Sequence, residues 1–145
     1  MRPFRKNSSV IARRGSKLLL VKKPRERHAW QFPQGGVETG ENFLEAAKRE
    51  FLEEIGTDKI EIIGAEAGIY FYDWPSEIEI DPRLEKFCGQ EVHFFVANFL
   101  AEDSEIKLDR EELETWKWVE RVELAQLIES PEYVNKVLEI IDAGK

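Results

Sequence analysis

Cysteine is almost missing from this 145-residue chain; Cys88 stands alone, so no intrachain disulfide can form. Long apolar runs are missing too. Charged residues interrupt every candidate stretch, and none approaches the roughly 18 residues needed to cross a bilayer, so no membrane attachment is expected. Positive charge is scarce: 21 Lys and Arg stand against 29 Asp and Glu, a formal net charge of -8. Coating a nucleic-acid backbone normally requires a basic stripe that displaces condensed counterions, so the balance argues against a DNA-binding role. It leaves room for a small anionic ligand, because bound divalent cations dominate the field around a polyphosphate. The N-terminal residues Met1 to Asn7 lack the apolar core of a secretory signal, and the cytoplasm is the expected location. Ser/His/Asp arrangements, zinc-ligand spacings and Gly-x-x-x-x-Gly-Lys loops are all lacking, as are internal repeats.

What the chain does contain fits one domain over residues 1–145, long enough to bury a core without disulfides or a structural metal. Ser8 to Arg13 and Lys17 to Lys22 read as a hairpin about the Arg13-Arg14-Gly15-Ser16 turn. A basic loop runs from Lys22 to His28, and Trp30 to Gly36 carries a proline and paired glycines that forbid a long element there. Phe43 to Ile55 is the best-defined helix, with capping residues in Thr39 to Asn42 and a left-handed stop at Gly56. Strands are expected at Ile60 to Gly64, Ala67 to Tyr72, Val92 to Leu100 and Thr115 to Val119. Helices are expected at Val122 to Ile128 and Pro131 to Ala143. Interleaved strands and helices with hairpin-like pairs define an α/β class with a mixed sheet. The proline-punctuated loop Asp73 to Gly89 is long enough to be a substrate lid.

The helix Phe43 to Ile55 carries the chemistry. At about 100° per residue, Phe43, Ala47, Phe51 and Ile55 form its apolar stripe, while Glu50 and Glu54 project from the margin of that stripe and Glu53 lies beside them towards Arg49. Carboxylates at i, i+3 and i+4 repel one another, and solvated surface glutamates are the ordinary explanation of such a triplet. Two features speak for a cation instead. Small Ala46 and Ala47 leave space beside the carboxylates, and the negative charge sits late in the helix, where the macrodipole disfavours it. An all-oxygen set of this kind suits Mg²⁺ or Mn²⁺ rather than zinc.

The stretch from Gly35 to Gly56 resembles the Nudix box: Gly35, five residues, Glu41, seven residues, Arg49-Glu50, apolar Phe51, one residue, Glu53-Glu54, one residue, Gly56. Every fixed Gly, Glu and Arg stands at its spacing; the departure is Thr57, where the family usually has an apolar residue. The resemblance implies a Nudix fold, a mixed β-sheet sandwiched between α-helices, and Mg²⁺-dependent hydrolysis of a phosphoanhydride in a nucleoside polyphosphate. It implies Glu50 and Glu54 as metal ligands, Glu53 as a ligand or the base, and Arg49 as the residue that orients the carboxylates. Glu41 is implied near the metal cluster, with the Gly35 carbonyl as a further oxygen.

Beyond the box, Phe4 to Asn7, Trp30 to Gly36, Tyr70 to Pro75, Gly89-Gln90 and Glu112 to Val119 resemble the branch of dinucleoside polyphosphate hydrolases and bacterial RNA pyrophosphohydrolases. That branch implies Glu112 as a catalytic and metal-binding residue from outside the box, with Glu111 and Glu114 as local alternatives. Its substrates place a bis(5'-nucleosyl) polyphosphate such as diadenosine tetraphosphate first, by the net acidity, and a triphosphorylated RNA 5' end second. A silent nucleotide-sensing module is a third reading, against which the retained glutamates speak. Among Arg5, Lys22, Lys23, Arg25 and Arg27, the residues Arg5 and Lys23 are selected as phosphate partners, with Gln34 beside the box glycine. Of the aromatics, Tyr72 and Phe95 are selected as base-stacking surfaces; Trp30 and Trp116 are read as structural, and His28 and His93 as hydrogen-bonded or exposed.

Overall fold

A computed structural model describes residues 2–24, 30–74 and 82–143 of the chain. Its strands are β1 (Phe4–Arg14), β2 (Lys17–Lys22), β3 (Trp30–Gln31), β4 (Gln34–Gly36), β5 (Ile60–Asp73), β6 (Gly89–Phe99) and β7 (Thr115–Glu120); its helices are α1 (Phe43–Ile55), α2 (Leu124–Leu127) and α3 (Pro131–Ala143). The sheet is mixed: β1 runs parallel to β6, and the remaining pairings are antiparallel. Alternation along β1 divides the core. Val10 and Ala12 join Phe95, Ala97 and the α1 residues Ala47, Phe51 and Ile55 on one face. Ile11 joins Val92, Phe94 and the α3 residues Tyr133, Val134, Val137 and Ile140 on the other. A sheet between helices follows, as the resemblance implied.

Helix α1 begins where the sequence placed it. Asn42 accepts from the Glu45 backbone N–H at 2.8 Å and Glu45 returns a bond to the Asn42 N–H at 3.0 Å, a reciprocal capping box. Gly56 ends the helix at φ 86°, and a Cβ there would fall 2.5 Å from the Lys107 carbonyl oxygen, so both conformation and space demand glycine.

Three expectations are corrected. The two strands at Ile60 to Gly64 and Ala67 to Tyr72 are one strand, β5, whose pairing with β6 slips between Ile63 and Gly68; Gly64 at φ 70° absorbs the irregularity. Val122 to Ile128 is a 3₁₀ turn followed by the four-residue α2. Trp30 to Gly36, expected only to turn, contributes two short strands: β3 pairs β2, and β4 pairs β1. Of the expected lid, residues 75–81 lie outside the described residues, and β6 already begins at Gly89.

One topological feature positions the site. Strand β2 pairs β1 only at Arg13–Leu18 and Arg14–Lys17 and then diverges from it, pairing β3 at Val21 and Lys22, while β7 runs along its other edge from Lys17 to Lys22. The edge of β1 vacated over Asn7 to Ser9 is taken by β4. The sheet therefore splays apart near the N-terminal half of β1, and a cavity opens in the split.

Candidate active site

That cavity has a volume of about 300 Å³ and is walled mainly by four elements that are distant in sequence. Arg5, Asn7 and Gln90 come from β1 and β6, Gln34, Gly35 and Gly36 from β4, and Glu50, Glu53 and Glu54 from α1. Lys23, Gln31, Asp109 and Glu112 complete it.

Helix α1 reaches the cavity because β4 is built from glycine. A Cβ on Gly35 would overlap the Glu50 carboxyl group, and one on Gly36 would fall 2.7 Å from Arg5 Nη2. Gly35 therefore admits Glu50, while Gly36 admits the Arg5 guanidinium. Glu54 is only 8% exposed, and its Oε1 accepts the Gln34 backbone N–H at 2.9 Å. Desolvation pushes its pKa up to about 8, against the Gln34 bond, and the Glu50 and Glu112 charges push the same way while Lys23 opposes them. Glu50 is raised by burial as well, with Arg49 pulling it back.

Arg49 spends all five N–H donors on this assembly. Its Nε and Nη2 hold the two oxygens of Glu41 at 2.6 and 2.9 Å, Nη1 reaches Glu50 at 2.9 Å and Glu53 at 3.2 Å, and Nη2 also donates to the Gly36 carbonyl at 2.9 Å. The bond to Glu41 is the largest cause of a guanidinium held even more firmly charged than usual, and Glu41 is in turn lowered by it. Glu41 is thereby occupied. It does not line the cavity, and with both oxygens on Arg49 it orients the arginine.

The turn after residue 106 delivers Glu112. Lys107 N–H bonds the Ile55 carbonyl at 2.7 Å and Asp109 N–H bonds the Glu54 carbonyl at 3.1 Å, pinning the segment to the end of α1. The Asp109 carbonyl then accepts from Glu112 and Leu113 at 3.1 and 2.8 Å. Of the three glutamates weighed, Glu112 alone lines the cavity. Glu114 is drawn off to Lys22 at 2.6 Å, and Glu111 is exposed.

Arg5 and Lys23 both stand in the cavity wall. Lys22 does not, and Arg25, Arg27 and His28 lie outside the described residues. Phe95 is 4% exposed inside the core under α1, so the stacking role expected of it is overturned by packing. Tyr72 is half-buried against Tyr70 and Trp74, beside Gln90 in register, and does not line the cavity. His93 is buried between Glu66 and Glu91 and stacked on Phe43, away from the cavity.

Sequence reasoning missed Asn7, Gln31, Gln90 and Asp109. No periodic signal singled out the first, since Arg5 to Ser9 is polar at every position and burial alone separates Asn7 from exposed Lys6. Asn7 donates to the Gln90 side chain, leaving its own Oδ1, and that of Gln34 Oε1, buried without a hydrogen-bond partner.

These features fit a hard cation. The wall holds a desolvated carboxylate, further carboxylates and two unpartnered amide oxygens, all oxygen donors. Among the described residues no three acidic, His or Cys side chains already converge as a ligand set. Glu50 and Glu53 instead lean on Arg49, and Glu54 on Gln34, an arrangement that mutual repulsion between carboxylates favours.

A mixed sheet between helices with an acidic cavity at its split defines the class of protein. The NUDIX domain profile matches residues 3–139, and the chain belongs to that family. The RNA pyrophosphohydrolase of Caulobacter vibrioides is 38% identical over 109 residues, which cover 72% of this chain and 60% of the relative, so this chain spans about three-fifths of that protein's length. The RNA pyrophosphohydrolase of Pelagibacter ubique is 33% identical over 122 residues, 82% of this chain and 77% of the relative. A C. elegans Ap4A hydrolase shares the fold at TM-score 0.75 and 21% identity, with 96% of each chain covered.

Proposed function

We propose that this protein hydrolyses a phosphoanhydride bond in a nucleoside 5'-polyphosphate with Mg²⁺, or Mn²⁺, as cofactor. The observation that carries the reading is the pairing of a buried, desolvated Glu54 with Glu50, Glu53 and Glu112 in one cavity whose wall also holds Arg5 and Lys23. Glu50, Glu53, Glu54 and Glu112 hold the cation, with the Gly35 carbonyl available beside them. When bound, the cation neutralises phosphoryl oxygens and makes water more acidic. Arg49 sets the direction of Glu50 and Glu53. Glu53, with a side chain 55% exposed and a 3.2 Å bond to Arg49, is the box carboxylate open to solvent and is assigned as acceptor of the proton of the attacking water. Arg5 and Lys23 take the charge that develops on the phosphoryl oxygens, and Gln34 and Gln90 supply neutral contacts.

A cavity of about 300 Å³ takes phosphates and leaves nucleosides outside, so it suits both substrates named above. The relatives at 33% and 38% identity, named RNA pyrophosphohydrolases, favour a triphosphorylated RNA end. The net charge of -8 favours a dinucleoside polyphosphate, the reading the composition put first. Competing diadenosine polyphosphates, nucleoside triphosphates and triphosphorylated RNA with Mg²⁺ in ¹⁸O-water separates them. Label entering one product of a preferred substrate is expected; no turnover of any of them with either cation sinks the assignment.

A further inference from the structure

The phosphate cavity has a neighbour. Across the Arg5 guanidinium lies an open recess of about 490 Å³, within the range of about 300–1,000 Å³ typical of small-molecule sites. Arg5, Gly36 and Glu50 belong to the walls of both, so whatever leaves the first passes directly into the second. The chemistry changes across that seam. The first wall is carboxylate, amide and cation, whereas the recess adds Phe4, Phe87, Val37 and Pro3.

The Phe4 ring and the backbone at Phe87 are held in place. Phe4 meets Phe71 edge-on with centroids 5.3 Å apart. The segment bearing Phe87 is tied to the start of β1 by Cys88 N–H to the Pro3 carbonyl at 2.8 Å, and the Phe87 N–H bonds the Leu84 carbonyl at 3.0 Å. Phe87 is half-buried, presenting part of its surface to the recess.

We infer that this recess receives the nucleobase of the nucleoside attached to the polyphosphate, stacked on Phe87, with Arg5 marking the boundary between phosphate and nucleoside. The inference rests on the function proposed above and extends it to the part of the substrate that the 300 Å³ cavity leaves outside. A polyphosphate held at Arg5 must continue into a nucleoside, and this recess is continuous with that point and lined with aromatic surface. It also sets the specificity. Among the described residues, and apart from the shared ones, its polar side chains are Lys6 and Glu38, both exposed, with no amide or hydroxyl to read a base edge. Stacking without edge contacts tolerates every base, since each has a π-face.

The test compares a triphosphorylated dinucleotide with its counterpart lacking the first base, on the full chain with Mg²⁺. In the wild type, loss of the base raises KM about tenfold with kcat little changed, the size expected of one stacked base. Phe87→Leu, which keeps apolar bulk, raises KM for the base-bearing substrate by a similar factor and leaves the base-less one unchanged. Phe87→Tyr, which keeps the ring, behaves as wild type and controls for folding. Equal KM for the two substrates in an active wild type overturns the inference while the proposed hydrolysis stands, as does an unaltered Phe87→Leu. If only diadenosine polyphosphates are cleaved, the same comparison is made between diadenosine tetraphosphate and its counterpart lacking one base; if none of these substrates turns over with Mg²⁺ or Mn²⁺, the proposed function has failed and the inference falls with it.

Discussion

Alternate residues on one side of β1 line two recesses of similar size. Towards the N-terminus, Arg5 and Asn7 face the polar cavity of about 300 Å³. Towards the C-terminus, Ile11 and Arg13 face another of about 250 Å³, walled by Leu18, Ile63, Val96 and Ile140. The first exists because the sheet splits and α1 brings carboxylates into the gap. The second lies where the β5 ladder slips between Ile63 and Gly68 and packing against the end of α3 is incomplete. Equal volume carries no equal meaning. One recess concentrates a desolvated carboxyl group and unpartnered amide oxygens, groups that call for a polar partner, while the other is mostly aliphatic and asks for nothing.

Glu54→Gln is the sharpest way to break that contrast. It retains an acceptor for the Gln34 N–H but removes the charge, and turnover with Mg²⁺ should fall by at least about 100-fold with the circular dichroism spectrum unchanged. Near-normal activity would dissolve the distinction between the recesses. Gly35→Ala comes next. Its Cβ would displace the Glu50 carboxyl, and the Mg²⁺ concentration for half-maximal activity should rise by roughly 10- to 100-fold, as in other losses of a metal site's support, read from a Mg²⁺ titration of the rate.

Proton linkage gives a third prediction. The folded pKa of Glu54 is raised to about 8 above an ordinary 4.5, so the fold binds a proton the unfolded chain has released, and the stability this confers is full below 4.5 and lost as pH rises through 8. Denaturant melts in EDTA should weaken over that window by an order of a few kcal/mol, since each tenfold difference in proton affinity between folded and unfolded chain is worth about 1.4 kcal/mol. Glu54→Gln should flatten the profile, and Mg²⁺ should restore stability at pH 8; a flat wild-type profile would remove the desolvated carboxylate from the account. The smallest effect belongs to the apolar recess. Ala67→Leu should leave kcat/KM unchanged and alter stability by no more than about 0.5 kcal/mol, the usual limit for surface positions. A loss of activity there would show that the two recesses are coupled.

Helix α1 and its caps were legible from residues alone, because Asn42, Glu45 and Gly56 act on their immediate neighbours. So was the carboxylate cluster, since helical period fixes which of Glu50, Glu53 and Glu54 lie towards the core. Helical period could not tell how deep they lie: Glu54 is buried because β4 and the Asp109 turn close over it. For Phe95, strand alternation allowed either face, and only the docking of α1 turned its face inward. Glu41 illustrates the same limit, since its spacing is local but its distance from the cavity depends on where Arg49 reaches.

By itself, then, the sequence determined the α/β class and the Nudix helix with its glutamates and Arg49, all through short-range spacing and charge. Tertiary structure decided that Glu112 faces the cavity while Glu111 and Glu114 turn elsewhere, that Asn7, Gln31, Gln90 and Asp109 join the wall, and that Phe4 and Phe87 line one recess beside Arg5. The reason is physical: which residues share a wall depends on where β2 leaves β1 and β4 replaces it, an event set by pairings between strands and invisible in the period of any one of them.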